Sequence, residues 1–587
     1  MEDSDWSPDF GQLDATPPSW APKRPVRIAV LGDFSAGAAA GRLETGADLA
    51  RRKLISVEFD NLEDTLARQG LKLSLPLGSA GEGIELEFPD LDAFHPDALY
   101  ANLSVFKALG DLRKKLNNTA TFAKAAKEVQ SWAGGAKRRA SKTGQRRSRG
   151  AAPAADARLS DFARLVGIEP GLRIDGPIDA LLRQIVGPFV QPAPDPKRDA
   201  LVATVDRALS DAMRAVLHQA EFQNLESLWR GMDMLLRRVE TGPSVQVFLV
   251  DVSAEEFAAD LSAASDLAET GLYSMLADKP SHEKNGGLSL ICGLYQFEAT
   301  PPHTELLGRI AKIAAHAGAP FVTAMACDAF TDRKKAPHPL VAQAMRELRA
   351  LPQASHLALL APRFMLRHPY GKRADPISVF DFEEFTAAEG LSGMLWGHPA
   401  IVAACVLAAP VGQTLSIGDL PFHFVVDGDG DQVALPCTER LINADTATRL
   451  RSFGIAALMA HKGQPELRLA GLDAVNGSPL ALQGMPKPAA RSSITTQVQG
   501  KLAGRPEPGA KAAEPEDADA SASESTDEAS ADSTESGDGG MDDLLASMGG
   551  DDSAASTASE ETSDDSPAAD AEPEMDPELA ALMKSLE

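Results

Sequence analysis

LVATVDRALSDAMRAVLHQAEFQNLESLWRGMDMLLRRVETGPSVQVFLVDV, residues 201–252, holds two helices and a strand in one uninterrupted reading. Leu201, Val205, Leu209, Met213 and Leu217 recur every four positions and line one face of a helix. After a short polar break, Phe222, Leu225, Trp229, Met232 and Leu236 repeat the three-and-four spacing on a second amphipathic run. Thr241-Gly242-Pro243 stops that helix, and Val245 to Val252 reads as a strand. None of these side chains forms a catalytic pattern, and Phe222, Leu225 and Trp229 are expected in the scaffold core.

Outward from this stretch the chain keeps alternating. Ser253 and Glu256 have capping-box spacing ahead of a helix that contains Phe257 and Leu261. Gly287 to Tyr295 is a buried-looking strand, Thr304 to His316 a helix, and Gly318 its stop. PFVTAMA and HLALLAP are further strands, and residues 420–435 read as a hairpin around Asp-Gly turns. Strands alternating with helices predict an α/β core with a partly parallel sheet.

Upstream, VRIAVLG from Val26 is a strand, and LISVEFD (Leu54 to Asp60) is a second, followed by Asn61 as a helix cap. LKLSLPL and IELEFP alternate apolar and polar residues. Leu99, Leu103, Phe106, Leu109, Leu112 and Leu116 predict one helical stripe running to about Asn118. The organisation read from these patterns is a flexible arm over 1–24, a small α+β domain over 25–130, a basic linker over 131–157, a larger α/β domain with a mixed sheet over 158–490, and a tail over 491–587. Lys137 to Arg149 carries seven basic residues and no acidic one. Without interleaved aromatics to stack bases, this run argues against specific nucleic-acid binding.

Residues 501–587 hold 25 acidic and four basic residues, a net of −21, which leaves −6 of the chain's −27 for residues 1–500. This tail has no aromatic residue, cannot bury enough apolar surface to offset ordering entropy, and is expected to be disordered. Within it MDDLLASM (Met541 to Met548) and MDPELAALM (Met575 to Met583) echo one another. Leu544, Leu545, Met548, Leu579, Leu582 and Met583 are candidates for docking in a partner's groove.

No enzyme signature is complete. Gly32-Asp-Phe-Ser-Ala-Gly37 lacks the Lys and Ser/Thr that a phosphate loop needs, because Ala38 and Ala39 follow. It reads as a strand-exit turn. Asp427, Asp429 and Asp431 begin a calcium-loop pattern that fails at Gln432 and Thr438. The histidines show no metal-ligand spacing, and Cys292, Cys327, Cys405 and Cys437 are scattered, as expected of buried thiols in a reducing compartment. Catalytic, cofactor and metal residues are therefore assigned as none. No apolar run reaches the ~18–20 residues needed to span a bilayer, and the acidic N-terminus lacks a signal-sequence pattern, so a cytoplasmic location without membrane insertion is expected.

Several blocks in order resemble one family. They are His218 to Glu240, Gly293 to Glu298, His303 to Val322, Ala361 to Gly371, Met394 to Ala400 (with Trp396, a further expected core residue), Asp419 to Phe424 and Pro436 to Ile442. The family is the large subunit of the type VI secretion contractile sheath, related to phage tail sheaths. Arg24 to Gly37, Leu54 to Leu66, Glu85 to Leu99 and Leu109 to Leu116 resemble the small subunit of the same sheath. The chain thus resembles both subunits joined, small portion first.

The resemblance implies a non-enzymatic bacterial protomer that forms a helical homopolymer around an inner tube of hexameric rings, seeded on baseplate proteins. It implies contraction that drives the tube through a target envelope, and recycling by a AAA+ ATPase. The family's ATPase handle would fall near Leu159 to Leu165, inside the chain instead of at a free end. Strand exchange between protomers, also implied, makes Val26, Ile28, Val30, Ile494 and Val498 candidate exchange residues. The alternatives are a non-polymerising adaptor that recruits partners through its tail and a nucleotide-dependent α/β enzyme.

Overall fold

VRIAVLG, Val26–Gly32, is the strand on which the architecture turns. We call it β1, and six of its seven residues are buried. A strand without alternation is apolar on both faces, as expected inside a sheet covered on both sides. The computed structural model describes residues 8–13, 24–75, 84–132, 186, 197–284, 286–332, 336–386, 388–409, 415–426 and 432–482. All lie in one of the chain's two compact units, and the other, Ser492–Glu572, falls outside them.

Along the N-terminal block follow β2 (Ile55–Val57), helix α1 (Leu62–Gln69), the hairpin β3 (Leu71–Leu75) and β4 (Ile84–Phe88), and helices α2 (Pro96–Asn102), α3 (Ser104–Asn117) and α4 (Thr119–Ser131). The remainder supplies α5 (Arg198–Leu217), α6 (Ala220–Arg238), β5 (Val245–Asp251), α7 (Ala254–Ala263), β6 (Leu290–Phe297), α8 (Pro301–Ala317), β7 (Phe321–Met325), α9 (Pro339–Ala350) and β8 (Leu357–Ala361). Next come β9 (Phe364–Met365), β10 (Trp396–Gly397), α10 (Pro399–Ala408), β11 (Ser416–Ile417), β12 (Phe424–Val426), β13 (Gln432–Ala434), α11 (Ala444–Ser452), β14 (Ile455–Ala460) and β15 (Leu467–Leu469). Helices under seven residues are left unnumbered.

One nine-stranded sheet has the order β11-β15-β14-β8-β7-β6-β1-β5-β2. The six strands from β14 to β5 are parallel, while β2 and the β15–β11 pair are antiparallel at the edges, so the sheet is mixed. Strand alternation splits the core in two. Ile28, Val30, Leu249 and Cys292 face a layer containing α6 and α10, with the β3–β4 hairpin and α2 to α5 packed further out. Ala29, Leu31, Val250 and Ile291 face α7, α8, α9 and α11. Phe222 and Trp229 are fully buried, Leu225 is nearly so, and Trp396 is 8% exposed.

Local rules account for many ends. Ser253 and Glu256 form the expected capping box at α7. Gly318 ends α8 in the left-handed region with φ 66°, where a side chain would be strained.

The structure bears on four expectations. Residues 25–130 are not a self-contained domain, because β1 and β2 belong to the same sheet as β5 to β8. Val26, Ile28 and Val30 are paired within the chain in this fold. β1 pairs with β5 on one side over seven residues and with β6 on the other over four, which fills both hydrogen-bonding edges. The Leu99–Leu116 stripe is buried throughout, but the helix breaks at Leu103, which adopts extended angles between α2 and α3. Asn61 does not cap α1 with its side chain, which instead accepts from the Glu58 amide and closes the preceding 3-10 turn. The hairpin predicted over 420–435 is present as β12 paired antiparallel with β13.

Candidate functional site

The feature that β1 builds is a joint between chain segments more than 200 residues apart. β5 and β6 are consecutive strands of the C-terminal portion, yet β1 stands between them. Adjacent strands lie about 4.8 Å apart, so without β1 the β5 and β6 backbones would be separated by about 9–10 Å with unpaired facing edges. The C-terminal portion therefore lacks one interior strand of its sheet, and the N-terminal block supplies it.

Side chains lock both ends of the inserted strand. At its start, Arg24 donates to the carbonyls of Gly287 and Leu288, each at 3.1 Å. Arg27, 3% exposed, donates to the Gly286 carbonyl and the Glu283 carboxylate, and its own carbonyl accepts from the Ser289 amide at 2.7 Å. At its end, the chain turns over Asp33 to Ala38. The Asp33 carboxylate accepts from the Gly37 and Ala38 amides at 2.6 and 3.1 Å, holding Ala36 in the left-handed region with φ 53°. Those amides are the ones a phosphate would need, and this loop satisfies them internally, consistent with a strand-exit turn. Burial, reinforced by the nearby Asp251 charge, raises the Asp33 carboxyl to about 6 against the pull of the amides and Arg42.

Three carboxylates of the C-terminal portion meet this turn and the chain just after it, residues 35–52. Asp251, the last residue of β5, accepts from the Ser35 amide and hydroxyl at 3.0 and 2.7 Å and from Arg42 at 2.7 Å. Glu256, fully buried, is bridged by Arg52, which also binds Glu44 and the Asp251 carbonyl. Desolvation would raise the Glu256 carboxyl, but the Arg52 hydrogen bond and the Ser253 and Glu44 amides bring it below its ordinary value. Asp260, 1% exposed, accepts from the amides of Gly46, Gly271 and Leu272 at 2.6–3.0 Å. Asp206, on α5, pairs with Arg113 at 2.5 Å, farther along the block. Beneath the turn, the Trp229 indole donates to the Phe34 carbonyl at 3.1 Å, and Phe88, Phe94 and Phe222 form an aromatic cluster across the two portions.

A second charged cluster fixes the segment from 364 to 397 onto α5 and α6. Arg367 binds Glu226 at 2.8 Å and Glu384 at 2.7 Å, and Arg230 adds a bond to Glu226 at 2.7 Å. Glu384 also accepts from the Tyr370 amide at 2.7 Å. His218, at the end of α5, lies 3.8 Å from Glu384 and 3.3 Å from Glu389. Burial opposes charge on His218, yet the two carboxylates raise it to about 9. Burial likewise opposes charge on Glu384, and Arg367 and His218 bring it down to about 2. The small-block residue His95 packs edge-on against Tyr370, and Asp97 accepts from the Ser378 amide and hydroxyl.

The remaining polar groups named from sequence are structural. His398 accepts from the Ala400 amide, which caps α10, its other nitrogen lies 3.0 Å from the Tyr295 carbonyl, and burial lowers it to about 4. All four cysteines are buried; burial pushes the Cys327 and Cys405 thiols to about 12 and Cys437 to about 11, and raises Cys292 further. Among the described residues no group of three or more His, Cys, Asp or Glu is placed to hold a metal, and no helix is long and apolar enough to cross a membrane.

Asp427, Asp429, Asp431, residues 133–157 of the basic linker, Leu159 to Leu165, Ile494, Val498 and the tail residues Leu544, Leu545, Met548, Leu579, Leu582 and Met583 lie outside the described residues, whereas Ser131 and Trp132, expected in the linker, end α4. Sequence reasoning missed both ionic clusters. One signal was available: Glu226 lies on the apolar stripe of α6 in phase with Phe222 and Trp229, where a carboxylate needs a buried cation.

Comparison with known proteins divides the chain into two matched stretches. Residues 23–132 match the family described as type VI secretion system, VipA, VC_A0107 or Hcp2. Residues 199–476 match the family VipB, described as EvpB/VC_A0108, tail sheath N-terminal domain. The type VI secretion system sheath protein TssC1 of Pseudomonas aeruginosa is 28% identical over 293 residues, which cover 45% of this chain and 58% of that relative. The match thus spans somewhat more than half the length of the relative.

Proposed function

We propose that this chain, which carries a VipA sheath domain and a VipB tail sheath domain in one polypeptide, is a non-catalytic structural protomer of a type VI secretion contractile sheath. It polymerises with copies of itself around an inner tube of ring proteins, is seeded on a baseplate, and contracts to drive that tube through a target envelope. The observation that carries this reading is the position of β1. One domain contributes an interior strand of the other's sheet, so the two form a single building unit.

Such a unit suits a machine whose energy is held in interfaces between copies. The parallel sheet, covered on both faces, resists deformation, and motion falls to contacts between neighbours. No step of this reading needs a cofactor, and the work is done in the bacterial cytoplasm.

Electron microscopy of the purified full chain, with the inner-tube ring protein present, tests the proposal. Tubes or stacked rings of regular width are expected. A stable monomer under these conditions overturns the sheath reading and favours a soluble adaptor. The echoing tail motifs are proposed to serve a partner of the assembled sheath, such as a recycling AAA+ ATPase. Removing residues 541–587 is then expected to leave tubes intact while slowing their disassembly, and unchanged disassembly would count against that role.

A further inference from the structure

Residues 8–13, Pro-Asp-Phe-Gly-Gln-Leu, lie outside both matched domains, yet they are seated in a groove of the second one. The groove runs between the segment 261–267 and one face of α8. It contacts the segment from Asp9 to Leu13. Arg309, 8% exposed, donates to the Asp9 carboxylate at 2.9 Å and to the Asp9 carbonyl at 3.1 Å.

The ring of Phe10 lies on Gly308. A Cβ at position 308 would stand 2.0 Å from the Phe10 Cδ1, so only glycine leaves room for the ring. Gly11 takes a left-handed φ of 65° against Leu267, and its carbonyl accepts from Lys312 at 2.5 Å. The Gln12 amide donates to the Ser265 carbonyl, and the Gln12 carbonyl accepts from the Leu267 amide, both at 2.9 Å, as one rung of parallel sheet. Leu13 packs against the core beyond.

Two facts distinguish this from an incidental contact. The guanidinium of Arg309 is also held from within the domain by the carbonyls of Leu261 and Ala264 at 2.9 and 3.0 Å, which fixes its orientation independently of the segment. The segment also holds a turn of its own, in which the Asp9 carboxylate accepts from the Gly11 amide at 2.9 Å.

We propose that the groove on α8 is a peptide-binding site that selects an extended Asp-Phe-Gly-x-Leu sequence, and that residues 8–13 are its tethered ligand, a latch that the same sequence supplied in trans can replace. Recognition uses a strand rung for the backbone, an ion pair for Asp9 and a glycine-floored seat for the aromatic ring. Ten residues, 14–23, separate the latch from Arg24, a reach of up to about 33–36 Å when extended. Tethering at that length makes the occupant effectively concentrated, so the intact chain keeps its own groove filled.

The test uses a fluorescent peptide with the sequence of residues 7–14 and two full-length proteins, the unaltered chain and an Asp9→Ala, Phe10→Ala variant. The expected result is saturable binding to the variant, with apparent binding to the unaltered chain at least about ten-fold weaker because its latch competes. A peptide carrying Phe10→Ala is expected to lose at least about ten-fold affinity for the same variant. Adding Gly308→Val to the variant should close the seat and abolish binding. The proposal is overturned if the arm variant keeps its circular dichroism and melting transition but shows no saturable binding, or if the Phe10→Ala peptide binds as well as the native one.

Discussion

The two ionic clusters use the same residue types to different ends. At the end of β1, Arg42 and Arg52 are 30% and 14% exposed and bind carboxylates across the junction of the two domains. In the second cluster, Arg367 is 9% exposed and its partners Glu226 and Glu384 are essentially buried, all within the C-terminal portion. The first cluster seals a joint that the sheet already holds through β1. The second fixes a segment with little regular structure, whose only strands among the described residues are the two-residue β9 and β10. Where backbone pairing is rich, the ions add specificity; where it is poor, they carry the structure.

Breaking the deeper cluster is expected to have the largest effect. Arg367→Ala removes the cation shared by two buried carboxylates, leaving Glu226 with Arg230 and Glu384 with His218 and the Tyr370 amide, and should cost about 3–5 kcal/mol, read from the denaturant midpoint at constant slope. A cost below about 1 kcal/mol would show that water reaches this cluster and would erase the contrast.

pH separates the clusters next. The raised His218 contributes stability that is complete below its ordinary value of 6.5 and is lost as pH rises through about 9, on the order of 2–3 kcal/mol. The depressed Glu384 contributes stability that is present above 4.5 and is lost as pH falls toward 2. The segment 364–397 should therefore be most protected between these limits, and His218→Gln should flatten the alkaline limb of a melting-temperature profile.

At the joint, Arg52→Ala leaves Glu256 still bonded to the Ser253 and Glu44 amides, so a smaller loss of about 1–2 kcal/mol is expected in the same denaturant measurement. Lys72→Ala, which removes a fully exposed pairing with Glu87 on the β3–β4 hairpin, should not move the midpoint measurably. A larger shift there would mean that the hairpin edge is covered in the purified protein.

What could be read in advance follows the range of the forces. The helices around Phe222 and Trp229, the capping box at Ser253 and the stop at Gly318 depend on neighbours a few residues away, and the sequence displays them. β1 was legible as a strand, and its unbroken apolar run even signals burial on both faces. Its pairing was not legible, because register with β5 and β6 depends on residues more than 200 positions downstream. The break at Leu103 carries no local mark. The latch at Phe10 escaped because its meaning resides in the absent side chain of Gly308, far along the chain. The ionic clusters are similarly long-range, with only Glu226 out of place on its helix.

The insertion of β1 also bears on how the protein is made. Val26 leaves the ribosome long before Val245, its partner in the sheet, so the first strand synthesised must wait for its neighbours. A chain that carries both domains meets that delay with guaranteed one-to-one stoichiometry. Every copy of the incomplete sheet is born with the strand that completes it, and neither half accumulates with an open edge exposed to aggregation.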